Sequence, residues 1–127
     1  MSAEPETAVR TALRSRESLT DDAINEMLAC FADGAIWHNM PGEPAVGKAA
    51  IAATLRWAVP VPESLHIEIK SIATCGTTVF VERVDTHSGA GRTIVMPCCG
   101  VFETENGLIK VWRDYFDMQT WLDQVGA

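Results

Sequence analysis

TIVMPCCGVFETENGLIKVWRDYF, residues 93–116, decides the fold. β-Branched and aromatic residues flank Asn106-Gly107, a strong hairpin signal. Residues 93–104 therefore predict one long strand, and residues 108–116 an antiparallel return. Pro97 has no N–H to give to a ladder, so it predicts an edge position or a bulge.

Working outward, residues 77–87 predict a strand after a turn at Gly76, and residues 88–91, with two glycines, a hairpin loop. Residues 65–72 alternate through Leu65, Ile67 and Ile69. Residues 35–39 predict a short strand ending at Pro41-Gly42. The first third reads as helix. Residues 4–19 carry Ala8, Ala12 and Leu13 at helical spacing. Thr20 predicts an N-cap, with Asp21 and Asp22 in the first turn. Ile24, Met27, Leu28 and Phe31 continue a helical stripe, and Gly34 is expected to end it. Residues 48–58 predict a helix after Gly47, stopped by Pro60 and Pro62, and residues 118–124 a short closing helix. Helices first and an antiparallel meander afterwards mean α+β. About five strands form a curved, mostly antiparallel open cone, and about three helices close its pocket.

Residues 1–127 suit a single domain. The composition, 47% hydrophobic and 21% charged, is that of a globular chain. A net charge of −7 argues against a nucleic-acid partner, which rewards basic surfaces. No apolar run reaches the length of a membrane span. No basic stretch leads into an apolar one at the start, so the expected location is the cytoplasm. Cys30, Cys75, Cys98 and Cys99 have neither C-x-x-C nor zinc spacing and read as reduced thiols. No phosphate loop, nucleotide fingerprint or nucleophile elbow is present, and neither metal nor cofactor is expected.

Strand parity brings charges together. Residues two apart on a strand share a face, so Val79, Val81, Arg83, Asp85 and His87 point one way. Trp37 and Asn39 share a face of the first strand, and Trp112, Asp114 and Phe116 one face of the last. If the apolar members line the interior, Arg83, Asp85 and Asp114 are inside with them. Buried charges are costly unless paired, and one guanidinium has donors enough for two carboxylates. Such a cluster is either a structural ion pair or a catalytic group, and parity leaves both open.

Several segments resemble the limonene-1,2-epoxide hydrolase family. Arg83-Val84-Asp85, within residues 81–86, resembles its R-x-D strand. Residues 112–117, WRDYFD, resemble its final strand. Gly100-Val101-Phe102 before a Gly-Leu-Ile turn, and Asn39-Met40-Pro41 with Gly47 opening the next helix, are similar as well. The matches lie in order across residues 31–116. The resemblance implies a cone-shaped α+β fold, shared with ketosteroid isomerase-like and polyketide cyclase-like proteins, and a homodimer. It further implies a small lipophilic, terpene-like or cyclic epoxide and water as reactants. Asp85 would be the general acid, Asp114 the general base, Arg83 the bridge and Asn39 a holder of the water.

Two positions depart from that pattern. Trp37 stands where the family commonly has Tyr; its indole can donate to the water or serve as pocket wall. His87 stands where the family has an apolar residue, either as a strand-end histidine or as a polar feature that alters substrate preference. Met96, Cys98, Trp112 and Phe116 fall at lining positions for a lipophilic ligand, or at plain core positions. Two other functions use the same cone: an isomerase or cyclase moving protons beside a ketone, and a non-catalytic module that binds a small ligand.

Overall fold

A computed structural model describes residues 3–40, 42–58 and 64–126. The described elements run α1 (Ala3–Ala12), α2 (Asp21–Leu28), β1 (Phe31–Met40), β2 (Ala45–Val46), α3 (Lys48–Ala58), β3 (Ser64–Cys75), β4 (Thr78–Gly89), β5 (Arg92–Glu105), β6 (Leu108–Tyr115) and α4 (Met118–Val125). The strands form one open sheet in the order β2-β1-β6-β5-β4-β3. Every pairing is antiparallel except β1 with β6, which is parallel. The α+β cone is thus as expected, with the two-residue β2 added to the five strands.

Local chemistry set several elements where the sequence placed them. Asn106 and Gly107 both take positive φ, as a tight hairpin between twisted strands requires. The side chain of Thr20 accepts from Ala23 N and caps α2. Helix α3 has the expected bounds, while Pro41, Pro60 and Pro62, expected to punctuate the chain, lie outside the described residues. At Pro97, β5 has outrun β6, whose last pairing is Tyr115 with Cys99, so the proline meets a strand on one side only.

Tertiary contacts moved other boundaries. Gly34 does not end a helix. Helix α2 stops at Leu28, Phe31 already pairs with Ile109, and Gly34 lies in β1 at φ 73°, where the register shifts between Phe31 and Ile36. The first helix ends at Ala12 instead of continuing to residue 19. Arg16 there exchanges both backbone hydrogen bonds with Leu65, and Ser15 Oγ accepts from Ile67 N, so the chain is drawn onto the open edge of β3. The expected loop at residues 88–91 shrinks to the two-residue turn Ala90-Gly91.

Helices α1 and α3 cover the inner face of the sheet. Val9, Ala12 and Leu13 of α1 and Ile51 of α3 pack with Phe31, Val79, Val81, Phe102, Ile109 and Trp112. A second, smaller cluster sits at the far end of β5. There Ile94 and Met96 meet Phe116 and, from α4, Trp121 and Val125. The charged cluster lies on the same inner face of the sheet as both cores.

Candidate active site

Strand β4 carries Arg83, Asp85 and His87 on its inner face, and the ladder decides what stands beside them. Arg83 is opposite Cys98, and Asp85 opposite Met96. One strand further, Gly100 is opposite Asp114, and Asp114 in turn is level with Asn39. Trp112 is level with Trp37. Residues remote in sequence thus come together on one face across four strands.

The Arg83 guanidinium clamps both carboxylates. Nε and Nη2 donate to Asp85 Oδ1 and Oδ2 at 3.0 and 3.2 Å. Nη1 and Nη2 donate to Asp114 Oδ1 and Oδ2 at 2.9 and 2.8 Å. Two forked pairs on one planar cation are what the donor geometry of arginine permits. The Arg83 side chain is 2% exposed, so this pairing offsets a large desolvation cost. Its guanidinium carbon lies 5.6 Å from the Trp112 ring centroid, within cation–π range.

Gly100 makes the clamp possible. A Cβ there would lie 2.7 Å from Arg83 Nη1, 2.9 Å from Asp114 Oδ1 and 2.8 Å from a Phe102 ring carbon. Arg83 and Asp114 meet over the backbone of β5, and any side chain at this position would occupy the meeting point. In the sequence, Gly100 stands out only as part of a resemblance. A glycine inside a strand otherwise full of β-formers was the available signal of close approach.

Asp114 also accepts from Trp112 Nε1 at 2.7 Å. Trp112 was expected at a pocket wall or in the core. It is 3% exposed and packed among the rings of Phe31, Trp37 and Phe102. Its place is therefore behind Asp114, holding that carboxylate against the core.

Asp85 lies at the more open side, its side chain 15% exposed against 6% for Asp114. Burial raises its pKa above the usual carboxylate value; Arg83 opposes that shift and Asp114 adds to it. With both acids ionised the trio carries one net negative charge, and one shared proton makes it neutral. Cys98 directs its thiol to Asp85 Oδ2 at 3.8 Å, and burial pushes the thiol pKa up, so Cys98 is a neutral neighbour.

Trp37 is buried, and its Nε1 has no hydrogen-bond partner. Asn39 is half-buried beside Asp114, its carbonyl accepting from Gly42 N at 2.6 Å. His87 is half-buried at the other end, edge-on to Trp121 with ring centroids 6.1 Å apart. Its Nδ1 is buried without a partner. Burial lowers the His87 pKa, with Asp85 opposing and Arg83 adding to the shift, so the neutral ring is favoured. Met96 and Phe116 belong to the apolar cluster at this end. Trp121 and Gln124 were not singled out in the sequence. Gln124 accepts from Val95 N at 2.8 Å and donates to Val95 O at 2.7 Å, completing the β5 edge where β6 has ended. An open groove of 370 Å³ lies elsewhere, against α1 and the β5–β6 turn, and shares no residue with the Arg83 cluster.

An open, mostly antiparallel cone with helices on its inner face is the fold class shared with proteins described as ketosteroid isomerase-like and polyketide cyclase-like. Within that class a SnoaL-like domain model matches residues 12–112, and the chain belongs to this family. It is 28% identical over 101 residues to the epoxide hydrolase EphG of Mycobacterium tuberculosis, covering 80% of this chain and 67% of that protein. The structure of an LEH-like epoxide hydrolase from M. tuberculosis superposes with a TM-score of 0.78 at 27% identity, covering 97% of this chain and 85% of the other. A protein from Jannaschia sp. CCS1 assigned as a SnoaL-like polyketide cyclase superposes with a TM-score of 0.81 at 14% identity, covering 99% and 94%, which speaks to the fold alone. The resemblance to limonene-1,2-epoxide hydrolases is therefore upheld by a sequence relative and by a structure.

Proposed function

We propose that this chain is an epoxide hydrolase that adds water to a small lipophilic epoxide in one step. The observation that carries the reading is a single buried guanidinium shared by two carboxyl groups, the more exposed of which has its pKa raised by burial. Epoxide opening needs an acid and a base at the same pH, and two acids sharing one proton supply both. The relationship to EphG supports hydration over other uses of such a pair.

In this mechanism the neutral Asp85 donates its proton to the epoxide oxygen. Asp114 accepts a proton from a water molecule, whose oxygen attacks the ring carbon. The C–O bond breaks as the new one forms, giving a vicinal diol with no covalent enzyme intermediate. The Asn39 amide and the unpartnered Trp37 N–H hold the water beside Asp114. An indole donates but cannot accept, so Trp37 fixes the water oxygen and leaves its proton to Asp114. Arg83 keeps the two carboxyl groups in register through the transfer. The mechanism requires one proton between the two carboxyl groups.

The test is a panel of terpene, cycloalkene and aryl epoxides incubated in oxygen-18 water. Diols carrying one labelled oxygen are expected. The same acid pair suits an isomerase or cyclase, in which Asp85 would donate to an enolate oxygen. Turnover of an enone or a polyketide-like ketone with no diol from any epoxide would replace the hydrolase reading with that one.

A further inference from the structure

Three side-chain polar atoms of the described residues are buried without a partner: Arg16 Nε, Trp37 Nε1 and His87 Nδ1. Two of them flank the acid pair from opposite ends. Such orphans are rare in folded proteins because each forfeits a hydrogen bond it had in water. One that faces a reaction site marks where a ligand atom completes the bonding. Trp37 lies at the water end of the site. His87 lies at the other end, two residues beyond Asp85 and roughly 6–7 Å further along the strand.

The surroundings of His87 are otherwise apolar. Ile94 stands opposite it on β5, Met96 is opposite Asp85, and Trp121 presents its edge. Nothing in this wall offers Nδ1 a hydrogen bond. None of the α4 residues that close this side is fully buried, and His87 itself is half-buried. A purely hydrocarbon substrate tail would leave the orphan as it is. A tail bearing an oxygen would satisfy it.

We propose that His87 determines substrate choice by hydrogen bonding, through Nδ1, to a neutral hydroxyl or carbonyl oxygen carried one or two bonds from the epoxide ring. The proposal rests on the hydrolase reading for the identity of the ring. A neutral imidazole suits this role because it can donate to a carbonyl in one tautomer and accept from a hydroxyl in the other. A carboxylate tail fits less well, since Asp85 and Asp114 already supply two acids to one guanidinium. Asp85 protonates the ring oxygen, the Met96 and Trp121 surfaces cover the carbon skeleton, and His87 reads the substituent.

The test compares cyclohexene oxide with 2,3-epoxycyclohexan-1-ol in the full-length protein and in His87→Leu and His87→Asn. The reading is the ratio of kcat/KM for the two substrates, which cancels any common effect of the substitution on chemistry or folding. The ratio should favour the hydroxylated epoxide in the parent about tenfold more than in His87→Leu, the size of one hydrogen bond. His87→Asn, whose amide reaches near the Nδ1 position, should keep most of the preference. A ratio left unchanged by His87→Leu overturns the proposal. A second measurement needs no variant and no turnover: the Nδ1 nitrogen-15 resonance of His87 should move on saturation with cyclohexane-1,2,3-triol and stay put with cyclohexane-1,2-diol. An unmoved resonance in both overturns the proposal. If neither epoxide is opened, the hydrolase reading falls by itself, and the Nδ1 response still decides the role of His87.

Discussion

Asp114 and Asp85 share one guanidinium, yet their neighbourhoods differ. Asp114 receives three N–H donors, two from Arg83 and one from Trp112, with aromatic rings packed behind it. Asp85 receives two N–H donors and a distant thiol, and opens onto the soft wall of Met96 and Trp121. Burial raises the Asp85 pKa against the opposing pull of Arg83. The base and acid roles proposed for them rest on what each strand places behind its aspartate, although the residue type is the same. In the proposed hydration, the Asp114 end would position water and the Asp85 end would meet the organic substrate.

Removing either acid should produce the largest effect. Asp114→Asn and Asp85→Asn keep the side-chain shape and should each lower diol formation by about 10²–10⁴-fold, the usual worth of general acid or base assistance. Circular dichroism should show an unchanged fold. Full turnover in either variant would remove that residue from the mechanism. The pH profile separates the two roles. Asp85 must carry its proton to act, and its pKa is raised by burial. Diol formation should therefore fall as pH rises through that raised value, about tenfold per unit beyond it. Between the ordinary carboxylate pKa and the raised one the folded protein binds more protons than the unfolded chain, so stability should also decline with rising pH across that window. A flat profile there contradicts a proton on Asp85.

The next largest effect tests the meeting point itself. Gly100→Ala adds a methyl carbon where Arg83 Nη1 and Asp114 Oδ1 now approach to 2.7 and 2.9 Å. Neither atom is the free end of a flexible side chain, since each is held by the other. Overpacking of this kind costs about 1–3 kcal/mol, read as a lower urea midpoint, and activity should fall with the broken clamp. Unaltered stability and turnover would mean that the two side chains do not need to meet over β5.

Trp112→Phe is subtler. It keeps a ring in the stack with Phe31 and Phe102 but removes the donor to Asp114. A hydrogen bond to a charged group contributes about 1.5–3 kcal/mol, so the thermal unfolding midpoint should fall by roughly 5–15 °C. Because the lost donor serves the proposed base, kcat should drop more than KM changes. Equal kcat would assign Trp112 to packing alone.

These cases also mark how far the sequence is informative. Helix α3, the Thr20 cap and the Asn106-Gly107 turn depend on neighbouring residues, so local chemistry was enough. Alternation likewise put Arg83 and Asp85 on one face and Asp114 on a face of its own strand. What alternation cannot supply is register. That Asp114 stands level with Gly100 depends on a register shift in the β5–β6 hairpin between Glu103 and Thr104, and that it stands level with Asn39 depends on β1 lying parallel to β6, a pairing between the first long strand and the last. The same long-range pairing converted Phe31 from the end of a helical stripe into the first residue of β1. A local pattern yields there to a partner, Ile109, that no sequence window contains. The donor role of Trp112 was hidden for a related reason. Its parity was legible, but the bond to the carboxylate two residues on depends on the rings packed around it.

The smallest effect concerns the soft end. Gln124 reaches from α4 to both backbone atoms of Val95 and also donates to Met96 Sδ at 3.5 Å, pinning a helix none of whose residues is fully buried. Gln124→Ala removes the pin and leaves the Arg83 clamp untouched. Global stability should fall by about 1 kcal/mol, the scale of a half-exposed hydrogen-bond pair. Amide exchange should quicken across α4 and at Val95 while that of β6 stays as it was. If exchange quickens equally in both, the two ends of the site are one cooperative unit, and the contrast between a rigid water side and a yielding substrate side is lost.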